Sequence, residues 1–422
     1  MRLLRQIRIA DRLSPMAGQI ADLLIKDGQI AELADRVSPP SGCDVHEGKG
    51  QWVSPGFLDI GAFLGDPGFE DREDILSLAE AGLKGGYTQL AVLPNTHPVR
   101  QDKAGVDYLR MKTADLPLDL LPLCAVSKDT EGRELTEMLD LHQAGAVGYT
   151  DGLHPINNTG LLRLALEYVR SFDGTIINQP LEIDLAPDAQ IHEGSLSTQL
   201  GMRGFPEMVE TIPLRRDLEI LAYTNSRLLV HLLSSEAGVA ILSEAKANDL
   251  QVFGSVSAAH LQFTVDELNA FDVNFKLLPP LRAENDRQAL IRAVQDGTIQ
   301  HVASHHQSHQ VESKRLEFPY ADFGSQFLET CVAQTHTVLG TEMSPEDFCA
   351  LFSHGPREAL GIEQHHIAKG QPASLTIFDP DLKWEPTADN FGQKSVNTPM
   401  IGHTLQGRPV GIYHKNRLWT SV

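Results

Sequence analysis

Residues 54–68 read SPGFLDIGAFLGDPG. The run PGFLDI is a short apolar stretch bounded by turn residues, the pattern of a buried strand, and it empties into the turn GAFLGDPG. From Gly56 to about Gly361 apolar runs of this kind alternate with amphipathic helical segments. In order come YTQLAVLPN with KAGVDYLRMKTA, LDLLPLCAV with ELTEMLDLHQAG, GAVGYTD with LLRLALEYVRSF, GTIINQP, SRLLVHLL with AGVAILSEAKAND, LQVFGSVSA, VNFKLLPPL with RQALIRAVQDG, and IQHVASH. Such alternation builds parallel βα units, and these nine runs, PGFLDI included, are enough for the eight strands that close a (β/α)8, TIM-type barrel of the α/β class. Chemistry in such a barrel lies at the carboxyl ends of the strands. The turn after PGFLDI is one of those ends.

Both termini have another texture. LLRQIRIAD and ADLLIKDGQIAEL, with Asp27-Gly28 as a hairpin turn, read as short strands, and so do ASLTIFDPDLKW and LQGRPVGIYHKNRLW with a turn near Lys415-Asn416. At 422 residues the chain has room for a large barrel and a smaller accessory unit. A content of 41% hydrophobic and 22% charged residues is that of a globular protein. The net charge of -21 repels phosphate backbones, which argues against nucleic acid as a partner. No apolar run reaches the roughly 18 residues that span a bilayer, so no membrane role is expected. Cys43, Cys124, Cys331 and Cys349 form no CxxC pair and read as small core residues. The start MRLLRQIRIADRLSP is too polar for a secretory signal, and the expected compartment is the cytoplasm.

Six motifs, in order, carry a resemblance: PGFLD, GGYTQLAVLPNT, GAVGYTDG, LPPLR, DGTIQHVASHHQSH and KSVNTPMIGHTLQGRPV. Together they resemble dihydroorotases, within the cyclic amidohydrolase family. The resemblance implies a barrel of the amidohydrolase kind at residues 55–364. It also implies a small β-sandwich domain assembled from residues 1–54 and 365–422.

In that family two zinc ions are held by two histidines after the first strand, a bridging carboxylate, two later histidines and an aspartate that also acts as base. Imidazole and carboxylate suit zinc, and the two ions acidify a bridging water and polarise the amide carbonyl. The matching places here are Gly61, Phe63, Asp151, Gln179 (Asn178 if the register slips by one), Leu232 and His305. Only Asp151 keeps its type. His231, one residue before Leu232, is expected on the opposite face of its strand. His305 can bind a metal, yet it cannot act as an anionic base. The substrate positions that the resemblance implies are similarly depleted: Asn95 and His309 remain, while the carboxylate-binding arginine is Gly65 and the asparagine of NPPLR is Leu278.

Three readings follow from these departures. The first is a catalytically inactive homologue without metal or other cofactor. It resembles the non-catalytic dihydroorotase-like chain that joins the catalytic chain of aspartate carbamoyltransferase in a hetero-oligomer, with self-association also open. The second is a divergent cyclic amidohydrolase using a single metal bound by Asp151 and the histidine-rich loop, a site that His301, His305, His306 and His309, together with His231 and His260, could rebuild. The third is a binding module that holds a pyrimidine intermediate with Asn95 and Asn178 or Gln179. Asp59 and Asp66 read as a strand-end carboxylate capping backbone N–H groups and a turn residue, and FEDREDIL as the solvated start of the first barrel helix. Loops at 150–160 and 305–316 lose their metal anchors and are expected to be mobile.

Overall fold

In the computed structural model, which describes residues 1–392 and 394–420, PGFLDI holds the strand Phe57–Ala62 (β1), with all six residues buried. Alternation sends its side chains to two apolar destinations. Leu58 and Ile60 meet Ala91, Leu123, Ile177, Leu229 and Phe253 in the barrel interior. Phe57 joins the cluster beneath the helices, with Leu78, Leu90 and Leu328, and so does Ala62, because the register shifts between Ile60 and Ala62 at Gly61 and breaks the alternation. The other barrel strands are Tyr87–Val92 (β2), Asp119–Cys124 (β3), Gly148–Tyr149 (β4), Thr175–Asn178 (β5), Arg227–Val230 (β6), Val252–Ser257 (β7) and His301–Ala303 (β8). Each is parallel to the next in one eight-stranded sheet.

Side chains, more than ladder bonds, close β8 onto β1. The Asp59 carboxylate accepts from the Ser304 N–H at 2.8 Å and from its hydroxyl at 2.5 Å, and the Phe63 N–H donates to the His306 carbonyl at 3.0 Å. Burial lifts the Asp59 carboxyl to about 6 against the pull of the Ser304 bonds. The carboxylate thus caps a backbone N–H at a strand end. Asp66 accepts from the Tyr108 hydroxyl at 2.7 Å in the turn before cis-Pro67.

Two segments differ from expectation. VNFKLLPPL is a 3-10 turn, Val273–Phe275, followed by a loop with a cis Leu278-Pro279 bond; two successive prolines deprive the segment of ladder donors. The first barrel helix, Ile75–Lys84, begins after FEDRED, with Asp74 as its N-cap. Glu73 in that stretch is buried rather than solvated. It binds Ser77, Ser308 and, at 3.2 Å, His306 Nε2.

Both termini build one further sheet, in the order Arg417–Thr420, Leu405–His414, Leu375–Trp384, Trp52–Pro55, Arg2–Ile9, Ile20–Lys26 and Gln29–Ala34, with Asp44–Glu47 also on Arg2–Ile9. The small domain from both ends is therefore one continuous hydrogen-bonded sheet. Its hairpins turn at Asp27-Gly28 and Lys415-Asn416, all four residues at positive φ, as tight hairpins require. Among the described residues no helix is long and apolar enough to cross a membrane.

Candidate functional site

At the carboxyl ends of the strands Gly61, Gln179, His231, Leu232, His305 and Gln307 surround a cavity of about 20 Å³. That is room for a single water, not for a pyrimidine ring. The walls explain why it is so small. A Cβ at Gly61, which sits at φ 94°, would lie 2.7 Å from His231 Nε2. The imidazole of His231 thus fills space that a side chain at 61 would take. His231 was expected to face away from Leu232, but both line the cavity. β6 ends at Val230 and Leu232 adopts φ 61°, so strand alternation no longer governs these two side chains. A leucine at positive φ is an uncommon, strained state.

The remaining expected positions turn inward upon the protein. Phe63 is buried, with the Arg72 guanidinium 4.2 Å from its ring centroid. A Cβ at Gly65 would overlap the carbonyl oxygens of Phe69 and Glu73. Main chain therefore occupies the place where the resemblance implies an arginine. Gln179 Nε2 donates to the Leu278 carbonyl at 3.2 Å, joining two of the altered positions. Asn178 accepts from the Ile156 N–H at 2.9 Å and donates to Asp217 at 2.7 Å.

Asp151, the surviving carboxylate, is buried and does not line the cavity, although its neighbours Thr150 and Gly152 do. One of its oxygens accepts from the N–H groups of Val126 and Ser127, both at 2.9 Å, and the other from the Ser127 hydroxyl at 2.5 Å. Burial raises its pKa against those bonds. Asn95 likewise uses both halves of its amide on the next loop, donating to the Asp151 carbonyl at 3.0 Å and accepting from the Leu153 N–H at 3.1 Å. Neither group is free to hold a ligand. These bonds also anchor the loop at 150–160, which was expected to lack ties.

The loop after β8 has its own anchors. His309 donates from Nε2 to the Phe323 carbonyl at 2.8 Å, and its N–H reaches Asn397 at 3.2 Å. Lys314 Nζ donates to the carbonyls of Val273, Asp322 and Gly324 at 2.7, 2.8 and 2.9 Å. Lys276 does the same for Phe318, Pro319 and Ala321 at 2.8, 3.1 and 2.7 Å. Sequence reading passed over these two lysines. The one available signal was Lys276 inside the apolar run VNFKLLPPL, since a lysine there must be buried with donors to satisfy.

The histidines are mostly engaged as well. His260 bonds the Ser257 hydroxyl and the Pro280 carbonyl, His301 the Leu351 carbonyl, and His231 Nδ1 the Ser255 hydroxyl. Among the described residues neither ring nitrogen of His305, at φ 54°, makes a well-formed hydrogen bond, the Leu278 carbonyl being its one looser polar contact. Burial depresses its pKa to about 4, partly opposed by the Leu278 carbonyl. Among the described residues no three His, Cys, Asp or Glu side chains are grouped to hold a metal ion. A binuclear zinc centre does not fit this set: three positions, Gly61, Phe63 and Leu232, offer no donor atom, and the carboxylate is bonded elsewhere.

Comparison with known proteins agrees with the fold. Residues 50–237 match the family model described as Dihydro-orotase-like. The chain is 35% identical to the dihydroorotase of Syntrophotalea carbinolica over 391 residues, covering 92% of each. It is 34% identical to that of Ruminiclostridium cellulolyticum over 394 residues, 93% of this chain and 92% of the other. Among solved structures, the L-hydantoinase of Arthrobacter aurescens superposes with TM-score 0.88 at 20% identity, over 99% of this chain and 95% of that one. A D-hydantoinase from Bacillus sp. AR9 gives 0.81 at 18% identity, over 99% and 95%.

Proposed function

Because the chain belongs to the dihydroorotase-like family of amidohydrolases, we propose that its barrel serves assembly rather than hydrolysis. It is a catalytically inactive homologue of dihydroorotase, acting as a non-catalytic structural and activating subunit of aspartate carbamoyltransferase in pyrimidine biosynthesis. The observation that carries the loss of catalysis is Asp151, whose oxygens are all bonded to Val126 and Ser127. Rebuilding the family chemistry would require pulling it off these partners as well as supplying donors at 61, 63, 179 and 232. Support for the transferase is that a dihydroorotase-like barrel whose ligand positions are Gly61, Phe63, Gln179 and Leu232 resembles the non-catalytic chain associated with that enzyme. Co-expression with the transferase from the same source tests it. A hetero-oligomer of raised transferase activity is expected; a protein that neither co-migrates with the transferase nor alters its activity contradicts the reading.

One observation favours the rebuilt-metal reading instead. Among the described residues His305 has no well-formed hydrogen bond on either ring nitrogen, and it lies beside a cavity that His231 also lines. Stoichiometric zinc after dialysis, lost in His305→Ala, would establish that alternative.

A further inference from the structure

The helix Met208–Thr224 lies outside the barrel between the helices Thr159–Val169 and Glu236–Ala247. Its inner face buries Val209, Leu214, Leu218 and Leu221. Its outer face is apolar as well, which a helix face left in water has no reason to be. At helical spacing the exposed residues are Met208, Ile212, Arg215, Glu219, Ala222 and Tyr223, four of the six apolar, with Ile212 51% and Tyr223 75% exposed. The outer helix Glu284–Gln295 shows the ordinary pattern instead, exposing Glu284, Asn285, Arg292 and Gln295. Beside the stripe Leu218, Ile241, Ala245 and Leu250 line a groove of about 300 Å³.

Charges of both signs stand on this face. Arg215, Glu219 and Glu244 line the groove, while Arg216 is held by Asp217 and by the carbonyls of Ile156 and Asn157, and Arg163 by Glu167. Among the described residues Arg215 and Glu219 make no ion pair or side-chain hydrogen bond. Arginine four residues before glutamate is also the poorer order for pairing along one helix. A partner of a single charge sign would be repelled by one or the other. A second copy of the same helix, laid antiparallel, supplies both signs in the right places. With a two-fold axis at the level of residue 217, Arg215 of each copy comes opposite Glu219 of the other, and Ile212 comes opposite Ala222 and Tyr223. Glu244 is the surplus carboxylate and stands exposed at the groove's edge.

We propose that the chain pairs with a second copy of itself, about a two-fold axis, through the outer face of Met208–Thr224. The proposal is independent of the transferase reading. Leu164, 46% exposed on one neighbouring helix, and the small exposed residues Ala240 and Ser243 on the other widen the face. Three helices about 25 Å long and about 10 Å apart offer an area on the order of the ~800 Å² per partner that a stable dimer needs.

Sedimentation equilibrium of the full chain alone, with each variant checked by circular dichroism, tests the pairing. The unaltered chain is expected to dimerise at micromolar concentration. Arg215→Glu and Glu219→Arg are each expected to weaken the dimer by about tenfold or more, because each like-charge contact occurs twice across the axis. Mixed in equal amounts, these two variants regain opposite charges at both contacts and are expected to pair with nearly unaltered strength, a rescue that misfolding would not show. Ile212→Asp should weaken the dimer as well, and Met111→Asp, on the separate helix Lys103–Thr113, should leave it unchanged. A monomeric unaltered chain, a dimer indifferent to both charge reversals, or reversed variants that fail to pair on mixing overturns the proposal. A chain that is monomeric alone and loses the transferase on Ile212→Asp would give this face to that partner and overturn it too.

Discussion

Gly61 and His231 belong together: the glycine gives no donor, and the imidazole fills the room it leaves, 2.7 Å from where a Cβ would begin. Gly61→His should therefore destabilise the protein rather than restore a ligand, by about 3 kcal/mol from overpacking and positive-φ strain. His231→Ala in the same chain should recover about 1 kcal/mol or more, a coupling that denaturant unfolding of the two single variants and the double variant would measure. Asp151→Ala should cost about 3 kcal/mol by leaving two buried N–H groups and a hydroxyl without their acceptor. Its zinc content should equal that of the unaltered chain; a loss of bound zinc would show that Asp151 serves a metal. At this scale the sequence made the losses legible, because Gly, Phe and Leu lack a donor atom in any conformation. It did not reveal where Asp151 and Asn95 point, nor that His231 turns inward. Those depend on loop partners distant in sequence, Val126, Ser127 and Leu153, and on the break in alternation after Val230.

Elements show the same division between pattern and partner. Alternating apolar runs located every barrel strand, since burial on both faces leaves that mark in sequence. VNFKLLPPL carried a similar mark but forms a turn, because prolines cannot donate to a ladder. The loop after β8 differed most from expectation: it is fastened by Lys314, Lys276 and His309. Lys314→Met should leave three buried carbonyls unpaired and loosen residues 305–325 by about 2 kcal/mol. Hydrogen exchange should then speed up across that segment while β1 to β4 stay protected; unchanged exchange there would show that the lysine does not hold the loop.

For the whole molecule, the many buried histidines make acid the condition to examine. Burial holds His260 near 3 and His301, His305, His309 and His365 near 4, and pushes His231 well below its ordinary value. These folded pKa values are lowered, so between about pH 6.5 and 4 the unfolded chain binds protons that the folded chain refuses. Asp59 and Asp217, raised to about 6, and Glu329, raised to about 7, act oppositely. His192 and His336 are lowered as well and Asp151 is raised; the lowered histidines outnumber the raised acids, so unfolding takes up protons near pH 5 and stability should fall as the pH drops through that range. Denaturant unfolding from pH 7 to 4.5 would measure the slope, and flat stability would refute the account of neutral buried imidazoles. The central claim is that the barrel has exchanged its chemistry for internal bonds. Its most direct test is turnover of dihydroorotate and carbamoyl aspartate, with metal analysis of the same zinc-supplemented sample. No turnover above buffer with substoichiometric zinc is the expected result; turnover that rises with bound zinc would contradict it.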